Sequence, residues 1–226
     1  MRINEKKWSM KKIMFNDKYG LTQAVLVGRK PQTRRILNPT MLFERLGTYE
    51  GWAKESIADW KESCKARLYK AEGEELQKML DYALEHSPYK VGEAIAIAQK
   101  YVDLITNDVF FRLCGKIGMP LGYIGLEKGC FNKMFVRADL MPHHIRITNI
   151  SVERLQDISN GGCLKEGIWR DDNVGHEGPT YWYHGLANSS FHTPQEAYAS
   201  LIDRISGKGT WESNPYVYVY DFELID

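Results

Sequence analysis

The chain has 226 residues, 43% of them hydrophobic, and a formal net charge of +1, enough apolar content for one large core and no global pull toward polyanions or membranes. Any basic binding surface must therefore be local. Four cysteines, Cys64, Cys114, Cys130 and Cys163, stand without a C-x-x-C pair, which speaks against a zinc ribbon or a disulfide framework.

The opening "MRINEKKWSMKK" is basic but lacks a following apolar stretch, so no signal peptide is expected, and no run of ~20 apolar residues suggests a membrane span. The default setting is a reducing cytoplasm. Ile13–Phe15 reads as a short buried strand. Asp17 is placed to cap a helix through Leu21, Ala24 and Val25 that stops at Gly28. Then comes "VGRKPQTRRIL", with Arg29, Lys30, Arg34 and Arg35 crowded around Thr33. Pro31 suits the second position of a β-turn starting at Lys30, which would bring Lys30 and Thr33 together. An amine beside a hydroxyl is a candidate base–nucleophile pair, and the arginines would both depress the lysine pKa and collect phosphate. A solvated basic turn is the plainer alternative.

From about 40 to 90 the apolar residues recur at helical spacing: Trp52, Ile57 and Trp60, then Leu76, Met79, Leu80, Ala83 and Leu84. This block reads as a helical insertion. Residues 94–104 read as a strand, with shorter strands near 109–113 and 133–136. The glycines of "GKIGMPLGYIGLEKG" read as turns, since no phosphate-loop pattern is present. "HHIRITNISVERL" reads as a strand with a bulge near Asn149, and Ser159 caps a short helix through Cys163 to Glu166. Residues 167–192 form an irregular aromatic insertion, in which Tyr181, Trp182 and Tyr183 either stack on a base or anchor the loop. Thr193, Pro194 and Glu196 carry a capping box, so 194–206 is a helix ended by Gly207. Trp211 and Asn214-Pro215 form a turn into "PYVYVYDFEL", a strand apolar on both faces and so expected inside a small closed barrel. Five of the six histidines, His143, His144, His176, His184 and His192, follow no ligand spacing, and neither a metal nor a cofactor is expected.

Taken in order, "IMFNDKYGLTQAVLVGRKPQTRRI", "YKVGEAIAIAQKY", "IRITNISVERLQDISNGGCLKEGI" and "TPQEAYASLIDRISGKGTWESNPYVYVYDFEL" resemble the ASCH family of the PUA-like superfold. The resemblance covers roughly half of the chain, through the joint order of its motifs. It implies an α+β fold: a small, mostly antiparallel barrel with packed helices, as a single domain over 1–226 carrying insertions at about 40–90 and 167–192. It implies binding of RNA or a modified nucleoside. Short bacterial members are amidohydrolases on N4-acetylcytidine that use a lysine, a threonine and a glutamate. Motif by motif these fall on Lys30, Thr33 and Glu166, with Arg29, Arg34 and Arg35 as phosphate contacts. A non-catalytic RNA-binding module and a phage-associated ribonuclease are the alternatives. The length of the chain and the stiffness of Pro31 depart from the short enzymes.

Overall fold

The structure is a computed structural model and describes residues 10–45, 57–104, 132–172, 178–186 and 190–226. Trp52, the expected strand near 109–113, the glycine-rich turns after it, Cys114, Cys130 and His176 lie outside these.

The fold is α+β, organised on a mixed five-stranded sheet. Its strands are β1 (Lys12–Ile13), β2 (Gln32–Ile36), β3 (Ala94–Ile97), β4 (His144–Arg154) and a last strand, Tyr216–Leu224, in the order β1, β3, β4, last strand, β2. The pair β1–β3 is parallel and the other pairings are antiparallel. A hairpin of β5 (Trp169–Asp171) and β6 (Thr180–Trp182) stands apart, which makes the last strand β7. The helices are α1 (Leu21–Leu26), α2 (Pro39–Arg45), α3 (Ile57–Lys70), α4 (Gly73–Glu85), α5 (Asn160–Lys165), α6 (Pro194–Ser206) and α7 (Thr210–Ser213).

The expected closed barrel is not seen among the described residues. The ladder leaves β1 and β2 as outer strands, and a side chain spans the seam between them: Arg35 donates to the Met14 carbonyl at 2.5 Å. β7 is apolar on both faces for a different reason. Val217 and Val219 pack with Tyr198 and Leu201 of α6, whereas Tyr216 packs with Leu68, Met79 and Ala83 of α3 and α4. Helices cover both sides of the strand, so alternation with polar residues has no wet face to serve. The helical insertion is thus the second half of the core. Each large apolar side chain buried in it contributes ~1.5–3 kcal/mol.

Several boundaries differ from the sequence reading. The strand from Ala94 ends at Ile97, and Tyr101–Leu104 is a turn of 3₁₀ helix, as is Lys133–Phe135. Asp17 does not cap α1. Gly20 stands there with φ 63°, and the Asp17 carboxylate accepts from Thr22 and Lys133 instead. β4 shifts register between Ile147 and Asn149, at the expected bulge. α6 carries the full capping box, and Ser159 accepts from the Gly162 amide to cap α5. No described helix is long and apolar enough to cross a membrane.

Candidate functional site

Lys30 and Thr33 do not form a β-turn. Gly28, at φ 71°, turns the chain out of α1, and the Lys30 amide bonds the Ala24 carbonyl at 2.9 Å. The backbone then runs extended into β2. Pro31 suits this path because its carbonyl accepts from Phe222 of β7 and no amide is needed. The same bond, together with Leu37 N–H to the Tyr216 carbonyl, fixes which residues face β7. Arg34 and Ile36 therefore turn their backbone groups to the open edge of β2.

Along that edge lies a cavity of about 260 Å³, at the seam between β2 and the segment after β1. Lys30, Thr33, Arg34, Arg35 and Glu166 all line it, with Tyr198 of α6 on its wall. Two separate segments thus bring the lysine, threonine and glutamate to one space. Its volume falls just below the range for small-molecule sites, ~300–1,000 Å³.

Lys30, just before β2, is 2% exposed. Its ammonium donates to the Gln32 carbonyl at 2.9 Å, the Glu166 carbonyl at 2.9 Å and Glu166 Oε2 at 2.5 Å. All three of its protons are engaged. Glu166 sits at the C-terminal cap of α5, which turns a buried carboxylate toward the sheet. Gly167 follows at φ 108°, and a side chain there would meet Leu21 at 3.0 Å. The other carboxylate oxygen, Oε1, accepts from Arg34 at 3.1 Å. Arg34 in turn gives two bonds to Glu153 Oε1, at 2.9 and 2.7 Å, and one to Gln32 Oε1 at 2.7 Å. The result is a charge-balanced chain, Lys30–Glu166–Arg34–Glu153. Such groups tolerate burial only when paired in this way.

Burial pushes the Lys30 ammonium below the ordinary lysine value of 10.5; Glu166 pulls it back up, and Arg35 and Arg34 push it further down. For Arg34, burial opposes the charge, but Glu166, Tyr198 and Glu153 outweigh it and leave the guanidinium held above its usual value. Burial, then the Glu166 charge, lifts the Tyr198 phenol well above 10.0 and keeps it neutral. Cys163, buried behind the pair, is pushed up to about 12, chiefly by burial, so it is an inert thiol.

The Thr33 hydroxyl is different. It is 4% exposed and lines the cavity, yet it makes no hydrogen bond to any described group, Lys30 included. It is free to meet a ligand.

The three arginines have diverged. Arg34 gives four of its five N–H donors to protein partners. Arg29 lies 3.9 Å over the Trp169 ring and donates to the Gly167 carbonyl, and Trp169 stacks on Trp182 at 5.1 Å. Arg35 has the Met14 carbonyl as its one hydrogen-bond acceptor and no carboxylate partner among the described residues. Tyr183 is fully buried in the core, so the aromatic run anchors its loop there. His143 and His144 both reach Asp226 at the end of β7. No group of three metal-ligating side chains occurs among the described residues.

Sequence reasoning missed Glu153, Gln32 and Tyr198, which shape this site. Gln32 lay within the basic segment itself. Glu153 is an ordinary strand acid until β4 and β2 are brought together on either side of β7. No family model, curated protein or solved structure matches the chain.

Proposed function

We propose that the seam cavity is the active site of an ASCH-type amidohydrolase with a PUA-like sheet, acting in the cytoplasm on an N-acylated nucleoside such as N4-acetylcytidine. The observation that supports this most is the Thr33 hydroxyl: unbonded, facing a ligand-sized cavity, and lining it together with a lysine of depressed pKa.

In this reading the proton shared between Lys30 and Glu166 passes to the carboxylate and leaves a neutral amine. Rotation of the lysine brings that amine to Thr33. The amine takes the hydroxyl proton as Thr33 Oγ attacks the acyl carbonyl, and then returns the proton to the departing N4 amine as the C–N bond breaks. A water molecule, deprotonated by the same amine, hydrolyses the threonyl ester. The products are cytidine and acetate, and the hydroxyl is regenerated. Arg34 holds Glu166 in place and does not act on substrate. The apolar wall from α6 dries the site and strengthens each of these polar contacts.

The test is turnover of N4-acetylcytidine, followed by chromatography, in wild type, Thr33→Ala, Lys30→Ala and Glu166→Gln. Turnover by wild type that is lost in the Thr33 and Lys30 variants supports the reading. A folded wild type that does not cleave the compound sinks it.

One observation favours a second reading, a non-catalytic RNA-binding module. All three Lys30 protons are already satisfied and no bond joins Lys30 to Thr33. A site that only binds needs no more than this fixed charge pattern.

A further inference from the structure

The interior of the seam cavity is mostly apolar. Phe15, Leu21, Leu155, Leu201, Ile202 and Val217, all buried, supply its walls. Three of its buried polar side chains, Lys30, Arg34 and Glu166, are bonded to one another. That leaves two hydroxyls, those of Thr33 and Tyr198, with no hydrogen-bond partner among the described residues. Asn16, Arg35 and Ser206 also line the space, but they are half-buried or exposed and so stand at its mouth.

Two hydroxyls meet the needs of one carbonyl group. They are too few for a cytosine, whose carbonyl, ring nitrogen and amine would all lose water on entering. The volume points the same way. At about 260 Å³ the cavity is small for a whole nucleoside, yet an apolar cavity of ~150 Å³ already holds the carbons of a benzene ring. An acetyl group would leave most of it unfilled. We infer that the cavity is an acyl pocket, and that the substrate is an N-acylated nucleoside whose acyl group is apolar and longer than acetyl, about six carbons, with its base held outside at the rim of Asn16, Arg35 and Ser206. This rests on Thr33 being the acyl acceptor, and it deepens that reading by naming the group transferred. Thr33 Oγ bonds the carbonyl carbon as the bond to N4 breaks, the amine leaves with the proton, and water then releases the acid from the threonyl ester.

The test is a series of cytidines carrying acetyl, butanoyl, hexanoyl or dodecanoyl on N4, with kcat/KM of the wild type read by chromatography. Each methylene that enters the cavity should raise kcat/KM ~4-fold, on the order of 10²-fold from acetyl to hexanoyl, and dodecanoyl should gain nothing more. Ile202→Trp fills the cavity from α6 and should cut the hexanoyl-to-acetyl ratio at least ~10-fold, as the loss of room for about two methylenes would. Where that variant does not fold, the wild-type series decides alone. Calorimetry of the acetyl and hexanoyl compounds on Thr33→Ala measures the pocket apart from the chemistry, and the hexanoyl compound should bind at least ~10-fold tighter. Acetyl cleaved as well as or better than hexanoyl, a further rise at dodecanoyl, or an unchanged ratio in folded Ile202→Trp would overturn the inference and leave the hydrolase reading standing. A wild type that cleaves none of the four removes the hydrolase reading. The acyl pocket then rests on the calorimetry: tighter hexanoyl binding upholds it, and equal affinities or no binding overturn it.

Discussion

Two buried lysines in this chain meet the same kinds of partner. Lys30 sits with Thr33 and Glu166. Lys133 sits with Thr22 and Asp17, where its ammonium donates to the Phe15 carbonyl at 3.1 Å, to Thr22 Oγ1 at 2.7 Å and to the Asp17 carboxylate. In the second trio the hydroxyl is fully used: Thr22 accepts from Lys133, and its one proton lies between two acceptors, Asp17 Oδ1 at 2.6 Å and the Phe15 carbonyl at 3.2 Å. The trio ties the segment around residue 133 to the start of α1. In the first trio the hydroxyl has no partner and faces a cavity. Residue types alone do not separate a strut from a site. Whether the hydroxyl is already bonded, and whether it fronts open space, does.

This contrast can be broken by mutation, beginning with the largest effect. Glu166→Leu removes the carboxylate shared by Lys30 and Arg34; Arg34 keeps Glu153, but the buried Lys30 ammonium is stranded, so urea unfolding should show a loss of ~3–5 kcal/mol. Thr33→Ala should lower N4-acetylcytidine turnover by at least ~10³-fold while changing stability by less than ~1 kcal/mol. Thr22→Val should do the reverse, costing ~1–3 kcal/mol of stability with turnover intact. A Thr33 variant that unfolds, or a Thr22 variant that is folded but inactive, would collapse the distinction.

Titration sharpens the same comparison. Because Lys30 is held below 10.5, the unfolded chain binds more protons between the folded value and 10.5. Stability should rise with pH across that window, and the rise should vanish in Lys30→Met. Removing the Glu166 charge takes away the contact that pulls Lys30 upward, so its amine should titrate lower still in Glu166→Gln, read by NMR of the side-chain nitrogen. The smallest effect belongs to Asp17. Its burial alone would raise its pKa, but hydrogen bonds from Lys133 and Thr22 and the Lys133 and Lys100 charges bring it below 3.8. Its contribution is present above 3.8 and lost as pH falls through the folded value. At its partial exposure this amounts to less than ~1 kcal/mol. Acid unfolding of Asp17→Asn against wild type measures it.

Features written in a few adjacent residues were legible in the sequence. The helix from Pro194 is announced by Thr193, Pro194 and Glu196 together, and the α5 cap by Ser159. The turn at Lys30 was not legible, because its local rule lost to a distant one. Pairing with β7 holds the segment extended, and no property of Pro31 or Gln32 foretells a partner near residue 220. β7 itself read as a barrel strand because an apolar run on two faces does not say whether strands or helices do the covering. Lys30 and Thr33 were paired by their spacing, through a turn that the structure does not contain, and Glu166 joined them only through the family resemblance. The part played by Glu153 depends on sheet order, which leaves no local trace.

The place of β7 between β4 and the edge strand β2 has a consequence for synthesis. β2 is made early and finds its ladder partner only when residues 216–224 arrive. At ~5–20 residues per second, some 180 residues separate the two, so β2 waits roughly 10–40 s on the ribosome without its neighbour. β4 waits as well, though for less time. The cavity at the β2 edge cannot take shape before then, which makes the nascent chain dependent on its latest strand for both its sheet and its site. The charges of Arg34 and Arg35 suit that interval, since an unpaired strand carrying them is a poor template for pairing with another chain.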